Sequence, residues 1–192
     1  MERWSGLEDA QEYGSGILRG SLTYLRELRE DDLGVLERWW ADPSVAVFQT
    51  SNIRPQPAES VAEMIRGWCT NKDPGAVGFC VASRADDRLI GHAALHGATV
   101  VNRTATMAML IGAEHSGKGF GTDATRTLVR YGFEEMGLHR IGLEVWSFNT
   151  RALATYTKAG FVEEGRRREV VFHGGRFYDE VLMSLLATEW RA

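Results

Sequence analysis

The chain has 192 residues, of which 44% are hydrophobic and 25% are charged, and its formal net charge is −4. This length favours one domain with its own hydrophobic core, and the acidic balance argues against general nucleic-acid binding, which requires a basic face. No run of 18 or more apolar residues predicts a membrane span, and the N-terminus lacks the basic-then-apolar order of a signal peptide. The two cysteines, Cys69 and Cys80, form no CxxC motif, so we expect a reduced, cytoplasmic protein.

The first 20 residues combine weak periodicity with many small and polar side chains. We therefore expect residues 1–20 to be a loosely ordered N-terminal extension and residues 21–192 to form a single domain. After Pro74 the hydrophobic period changes from helical spacing to alternation, which indicates successive strands.

Hydrophobic periodicity and turn signals predict the remaining elements in chain order. These are a strand at 22–29, helices at 30–42 and 59–68, strands at 75–84, 87–101 and 104–113, a helix at 122–136, a strand at 139–146, a helix at 149–159 and a hairpin at 167–186 that turns at Gly174–Gly175. This mixed α/β order lacks regular βαβ alternation, which argues against a fully parallel doubly wound sheet.

Residues 109–128, MLIGAEHSGKGFGTDATRTL, contain four glycines within ten residues, directly ahead of a predicted helix. Glycines before a helix start let backbone N–H groups approach phosphate. A P-loop explains Gly112, Gly117 and Lys118, but Gly119 then stands where the Mg²⁺-binding hydroxyl is required. A plain tight turn into a helix is the structural alternative.

Two further phosphate loops match the same glycines. The dinucleotide-binding fingerprint matches Gly119, Gly121 and Ala124, with Glu144 about 20 residues further on. However, that fold normally begins with this loop, whereas several predicted strands precede it here. The pyrophosphate loop of acetyl-CoA enzymes, in the form [RQ]xxGxG[AG], matches residues 116–121 in part.

A second motif distinguishes these readings. Residues 149–161, NTRALATYTKAGF, resemble the N-x-x-A-x-x-x-Y-x-x-x-G-F segment of the GNAT N-acetyltransferase superfamily, and the glycine loop stands about 30 residues upstream, as in that family. Stretches such as RLIGHAALHG, LHRIGLEVWSFNTRA and GGRFYDEVLMSLL resemble the branch related to the ribosomal-protein-alanine N-acetyltransferases. The resemblance covers roughly residues 22–190 and implies a GNAT fold, a mixed and mostly antiparallel sheet with splayed middle strands flanked by helices.

The resemblance also implies acetyl-CoA as cosubstrate, with no metal, and a primary amine as acceptor, either a protein N-terminus or a small molecule such as a polyamine. A homodimer is left open. The strand before the loop would follow the pantetheine arm, the loop would surround the pyrophosphate, and the short helix would contact the pantetheine. The implied cofactor-binding residues are Met109, Leu110, Ile111, Ser116, Gly117, Lys118, Gly119, Phe120, Gly121, Thr122, Asn149 and Ala152.

Two residues are candidates for the proton transfers. Tyr156 is the candidate general acid, because a phenol is a good donor at neutral pH, and its alternative role is that of a core tyrosine. Glu144 is the candidate base, since it precedes Tyr156 by 12 residues, as the acid–base pair does in some relatives. Its alternative is a half-solvated strand glutamate. Many relatives carry a carboxylate where Thr106 stands, so either Glu144 acts through water or the amine arrives neutral.

The remaining candidates have simpler explanations. His92 and His96 are four apart on a predicted strand, which does not place them as neighbouring metal ligands. The basic run 166–168 suits a solvated strand edge, and Trp39, Trp40 and Phe48 either line an acceptor pocket or pack in the core. The leading hypothesis is an N-acetyltransferase with direct transfer, and the alternative is a non-catalytic acyl-CoA-binding module.

Overall fold

The computed structural model describes residues 4–190. The helices are α1 (Leu7–Gly16), α2 (Glu30–Ala41), α3 (Pro43–Ala46), α4 (Ala58–Trp68), α5 (Phe120–Glu134) and α6 (Thr150–Ala159). The strands are β1 (Thr23–Arg26), β2 (Val77–Ser83), β3 (Leu89–Thr99), β4 (Thr104–Ile111), β5 (Arg140–Trp146), β6 (Val162–His173) and β7 (Arg176–Leu186).

The seven strands form one sheet in the order β1-β2-β3-β4-β5-β7-β6. The pair β4–β5 is parallel and the other five pairs are antiparallel, which confirms the mixed, mostly antiparallel sheet. Register between β4 and β5 covers three residue pairs, from Thr104↔Arg140 to Thr106↔Gly142, although both strands continue beyond them. The sheet therefore opens at its centre.

Helices cover both faces of the sheet. One core cluster places Leu128 of α5 and Tyr156 of α6 against alternate residues of the strands, including Leu143. A second cluster, on the opposite face, joins Leu36 of α2 and Ile65 of α4 to the strand residues Cys80, Leu89 and Leu110. Alternation along each strand sends neighbouring side chains to different clusters, which explains the apolar runs in the strand sequences.

Capping and turn residues in the sequence mark the ends of several helices and strands. Asn149 begins α6 by accepting a hydrogen bond from the N–H of Ala152 at 3.2 Å, and Gly160 ends it with φ of +107°. Gly174 and Gly175 both have positive φ at the β6–β7 turn, as a tight two-residue hairpin requires. On α2, Trp39 is buried and Trp40 is partly buried.

The described part of the N-terminal segment has regular structure and long-range contacts. It forms α1, and Ile17 is buried behind it. One Nη of Arg130 donates to the carbonyls of Gly16, Ile17 and Arg19 at 2.7–2.9 Å. Backbone carbonyls leave no pattern in the sequence, so the sequence did not indicate that Arg130 binds those of this segment.

Asp123 joins the same segment to α5. Its carboxylate accepts hydrogen bonds from the N–H groups of Ser21, Leu22 and Thr23 at 2.8–3.0 Å and from the Thr23 hydroxyl at 2.7 Å. We expect Asp123→Asn to lower the free energy of unfolding by about 2 kcal/mol, because an amide nitrogen then faces several of these donors.

Urea denaturation of the purified variant measures this change. The control is Asp31→Asn on the exposed first turn of α2, which should change the free energy of unfolding by less than about 0.5 kcal/mol. Equal effects of the two substitutions would show that the Asp123 contacts add no stability of their own.

Candidate active site

A cleft of about 280 Å³ opens where β4 and β5 separate. Its lining brings together most of the residues that the sequence pointed to, from β4, the glycine loop and α6. These are Met109, Ile111, Ser116, Gly117, Gly119, Gly121, Thr122, Asn149, Ala152 and Tyr156. These residues are spread over 48 positions of the chain, and they line one cleft because β4 and β5 separate.

The β4 register decides which backbone groups face the opening. Gly112 N–H donates to the Ile90 carbonyl at 3.0 Å, and the same register pairs His92 with Leu110. Because hydrogen-bonded pairs alternate along an antiparallel ladder, Leu110 turns its backbone groups toward β3, whereas Met109 and Ile111 turn theirs toward the cleft. Leu110 therefore lies outside the cleft lining, with its side chain buried on the opposite face.

The glycine loop curls over the N-terminus of α5. Gly117 and Gly119 have φ of +76° and +86°, a backbone region that other residues adopt at a cost. The first turn of α5 leaves its N–H groups without intrahelical acceptors, and the helix dipole adds partial positive charge there. The loop can therefore hold an anion through backbone donors, as a pyrophosphate site requires.

Three loop residues have other surroundings. The Nζ of Lys118 donates to the Glu114 carbonyl at 2.9 Å, so its side chain folds back onto the loop. Phe120 packs against the core, with its ring 6.3 Å from that of His115. A side chain at Gly112 would meet the Trp39 ring at 2.4 Å, so this glycine serves packing of α2 rather than phosphate.

Tyr156 lines the cleft from the second turn of α6. It is 9% exposed, and burial raises its pKa to about 12. A phenol with this pKa stays protonated at neutral pH, so it is available as a proton donor. Asn149 lines the same cleft while it caps α6, so its two predicted roles are compatible in the structure.

Glu144 is not part of the cleft lining. Its neighbours on β5, Leu143 and Val145, point into the core beside Tyr156, so Glu144 points away on the other face of the sheet. There Arg167 donates one Nη to Glu144 at 2.8 Å and to Glu180 at 2.6 Å. Tyr156 and Glu144 therefore stand on opposite sides of the opening between β4 and β5.

An aromatic cluster lies beside the outer end of β5. The Phe148 ring is 4.9 Å from that of Tyr178, 5.7 Å from that of Trp146 and 6.0 Å from that of Phe48, and Phe48 itself lines the cleft. His173 joins this cluster, and its Nε2 donates a hydrogen bond to the Thr50 carbonyl at 3.2 Å. Ring faces and nearby carboxylates form a suitable environment for a cation.

The cleft also contains residues that the sequence reading missed. Gln49 donates to the Met109 carbonyl at 3.3 Å, and nothing in its sequence context indicates this contact. Arg151, Thr155 and Lys158 line the cleft from α6, where spacing of four and three residues puts them on one helix stripe. This spacing along α6 is the sequence pattern from which these three residues could have been predicted to line the cleft.

The weaker candidates find ordinary explanations. His92 is buried with its Nε2 3.3 Å from the Cys69 sulfur, and burial lowers the pKa of this imidazole to about 4. Within residues 4–190, no group of three or more His, Cys, Asp or Glu side chains is placed to hold a metal ion. None of the helices in that range has the length and apolar character needed to cross a bilayer.

Comparisons with known proteins point to one family. A family model described as an acetyltransferase (GNAT) domain matches residues 23–162. Spermidine N(1)-acetyltransferase of Vibrio cholerae is 28% identical over 172 residues, covering 90% of this chain and 91% of that protein. A Bacillus subtilis relative, YdaF, which carries the provisional name ribosomal N-acetyltransferase, is 38% identical over 105 residues, covering 55% of this chain and 57% of its own.

A solved structure has the same fold. Spermidine N-acetyltransferase from Vibrio cholerae in complex with CoA and spermine superposes with a TM-score of 0.78 at 27% identity, over 88% of this chain and 98% of that one.

Proposed function

Because the chain belongs to the GNAT acetyltransferase family and is an N-acetyltransferase, we propose that it moves the acetyl group of acetyl-CoA directly to the primary amine of a small cationic molecule. The observation that carries this proposal is the meeting of three features in one cleft. They are the backbone donors of β4, the glycine loop at the start of α5 and the buried hydroxyl of Tyr156. The relatives, which are named as N-acetyltransferases, support an enzyme over a non-catalytic acyl-CoA-binding module.

The donor half of the cleft suits coenzyme A. The loop from Ser116 to Thr122 would bind the pyrophosphate through backbone N–H groups. The N–H of Met109 and the backbone groups of Ile111, which face the cleft, would extend the strand pairing to the amides of the pantetheine arm, while Asn149 and Ala152 flank it from α6. The thioester would then reach the gap between β4 and β5, next to Tyr156.

The reaction requires one proton to leave the amine and one to reach the sulfur. The amine nitrogen forms a bond to the acetyl carbonyl carbon, and the carbon–sulfur bond breaks as CoA leaves. Tyr156 gives its proton to the departing thiolate and is reprotonated from solvent. The proton lost by the amine passes through water to the Glu144 carboxylate and from there to solvent. Because the acetyl group moves directly to the amine, neither cysteine has to form a covalent intermediate.

A cationic small molecule suits the acceptor side. Glu144 and Glu180 share Arg167, which leaves one carboxylate charge uncompensated, and the Phe148 aromatic cluster lies at the same end of β5. Carboxylates and ring faces attract ammonium groups. The relatives named for spermidine support the same class of acceptor.

A panel of amines tests this proposal by release of free CoA thiol. Polyamines, amino sugars and short peptides with free N-termini are each incubated with acetyl-CoA and the full chain. We expect turnover with polyamines or related amines, whereas activity confined to the peptides would assign a protein N-terminus as acceptor and contradict a small-molecule substrate.

Glu144→Gln is expected to lower kcat/KM about tenfold at pH 7 and progressively less as the pH approaches the amine pKa, near 10. The reason is that a neutral amine no longer needs a proton acceptor. The measurement is the pH profile of kcat/KM with the best amine of the panel.

The matched control for this profile is Glu180→Gln, which removes the other carboxylate held by Arg167. Glu180→Gln should weaken the attraction of the amine equally at all pH values below the amine pKa. If the two variants have the same profile, Glu144 acts only through its charge and is not a proton acceptor.

A further inference from the structure

The side chain of Gln49 contacts β4 from the segment that follows α3. Its Nε2 donates to the Met109 carbonyl at 3.3 Å, although the two residues are 60 positions apart in the chain. Both residues line the cleft. Register between β4 and β5 ends at Thr106↔Gly142, so Met109 lies in the part of β4 where the two strands have separated. Gln49 therefore binds a backbone acceptor at the open centre of the sheet.

The Met109 carbonyl needs a partner at this position. Met109 is half-buried, and its backbone groups face the cleft because the next residue, Leu110, turns its own toward β3. A backbone carbonyl that is removed from water without a hydrogen bond lowers the stability of the fold. The Gln49 amide supplies the bond that a neighbouring strand supplies elsewhere in the sheet.

The backbone around Gln49 is fixed, whereas its side chain can rotate. The N–H groups of Gln49 and Thr50 donate to the last residue of α3 at 2.9 Å, and the Thr50 carbonyl accepts from His173 at 3.2 Å. The ring of Phe48 packs against the Phe148 aromatic cluster. A glutamine side chain has three rotatable bonds, so its amide can leave the Met109 carbonyl while the backbone stays in place.

The pantetheine arm requires the same space. A chain that pairs with β4 lies about 4.8 Å from it, and its amide N–H would approach the Met109 carbonyl from the cleft. The Gln49 nitrogen already stands 3.3 Å from that oxygen on the cleft side. The two donors therefore exclude each other.

We propose that Gln49 is an internal competitor of coenzyme A: its amide holds the Met109 carbonyl until an amide of the pantetheine arm replaces it, and it returns when CoA leaves. This inference rests on the proposed function, which puts the pantetheine arm along β4. One hydrogen bond is exchanged for another, so CoA gains less than it would gain at a carbonyl without a partner. The exchange weakens the complex with the product CoA and thereby limits product inhibition.

The variant Gln49→Met tests the inference, because it keeps an unbranched side chain and removes the donor. Titration of the full chain should give a Kd for CoA that is about three- to tenfold lower than in the wild-type protein, since the variant has no contact to give up. Inhibition of amine acetylation by added CoA should strengthen by the same factor.

Thermal unfolding of the same variant should show the opposite sign. Without CoA its Tm should lie about 2–4 °C below that of the wild-type protein, because the Met109 carbonyl has lost its partner. At saturating CoA the two Tm values should coincide, since the complex does not use the Gln49 contact. A lower Tm with an unchanged Kd would show that the contact is only structural, and a higher Kd would show that Gln49 binds CoA directly. Either result overturns the inference.

Gln56→Met is the matched control, since Gln56 is exposed in the loop between α3 and α4. It should leave both the Kd for CoA and the Tm unchanged. If Gln49→Met does not fold, Gln49→Asn provides the same comparison, because the shorter amide does not reach the Met109 carbonyl. Failure of the wild-type protein to bind CoA would instead overturn the proposed function.

Discussion

Replacing Tyr156 by phenylalanine is expected to lower kcat about 100-fold while the Kd for CoA changes less than about twofold. The buried Tyr156 side chain lines the cleft, and removal of its hydroxyl group, the proposed acid, would leave the thiolate to depart without a proton donor. The aromatic ring remains, so packing against the Phe161 ring, 5.9 Å away, is retained. Stopped-flow or steady-state assays of thiol release, combined with titration of CoA, separate the two constants.

The pH dependence of the wild-type protein follows from the same group. Burial raises the pKa of Tyr156 to about 12, so the phenol stays protonated across the usual assay range. Activity should therefore rise with pH as the amine loses its proton and show no decline from Tyr156 ionisation below about pH 11. In Tyr156→Phe the rising limb should persist at a lower level.

Tyr131→Phe provides the matched control for this substitution. Tyr131 is a partly buried tyrosine of α5 whose pKa burial also raises, but it packs against Phe79 away from the cleft. Its variant should keep wild-type kcat. Equal losses in the two variants would indicate a general effect of removing a phenol, and full activity of Tyr156→Phe would contradict the assignment of the acid.

Replacing Gly119 by valine is expected to weaken CoA binding at least about 100-fold. Gly119 has φ of +86°, which a β-branched residue adopts only with strain, and an added Cβ would approach the Leu22 side chain to 3.3 Å. The loop would relax to another backbone conformation, and its N–H groups would no longer converge on the pyrophosphate. Titration with CoA measures the change.

Gly137→Val separates this effect from backbone strain alone. Gly137 has a similar φ of +64° and stands just beyond the far end of α5, where an added Cβ has no atom within 4 Å outside its chain neighbours. Its variant should lose thermal stability and keep the wild-type Kd for CoA. Retention of tight CoA binding by Gly119→Val would show that the glycine loop does not hold the pyrophosphate.

The sequence predicted the elements of the fold well because their signals are local. The alternating strands, the cap at Asn149 and the two glycines of the β6–β7 turn each depend on residues within one element. The helix α5 begins at Phe120, two residues before the predicted start, because Gly119 itself serves as the N-cap in a left-handed conformation. Such a cap has no polar side chain by which to recognise it.

The candidate site was predictable where residue types carry the chemistry, as at Gly119, Asn149 and Tyr156. The sequence did not indicate the parts of the site that depend on how the strands pair with one another. The three-residue pairing of β4 with β5 opens the cleft, and the same register turns Leu110 away from it and puts Glu144 on the opposite face. Lys158 lines the cleft on the α6 stripe that it shares with Arg151 and Thr155, and this spacing was its only sequence signal.

Mass spectrometry of the products from acetyl-CoA and the amine panel tests direct acetyl transfer in this cleft. We expect one acetylated amine for each CoA released, with no acetyl group on the protein, and an approximately 100-fold slower formation of both products by Tyr156→Phe. Release of CoA without an acetylated amine, or accumulation of an acetylated protein on the path to product, would contradict direct transfer in this cleft.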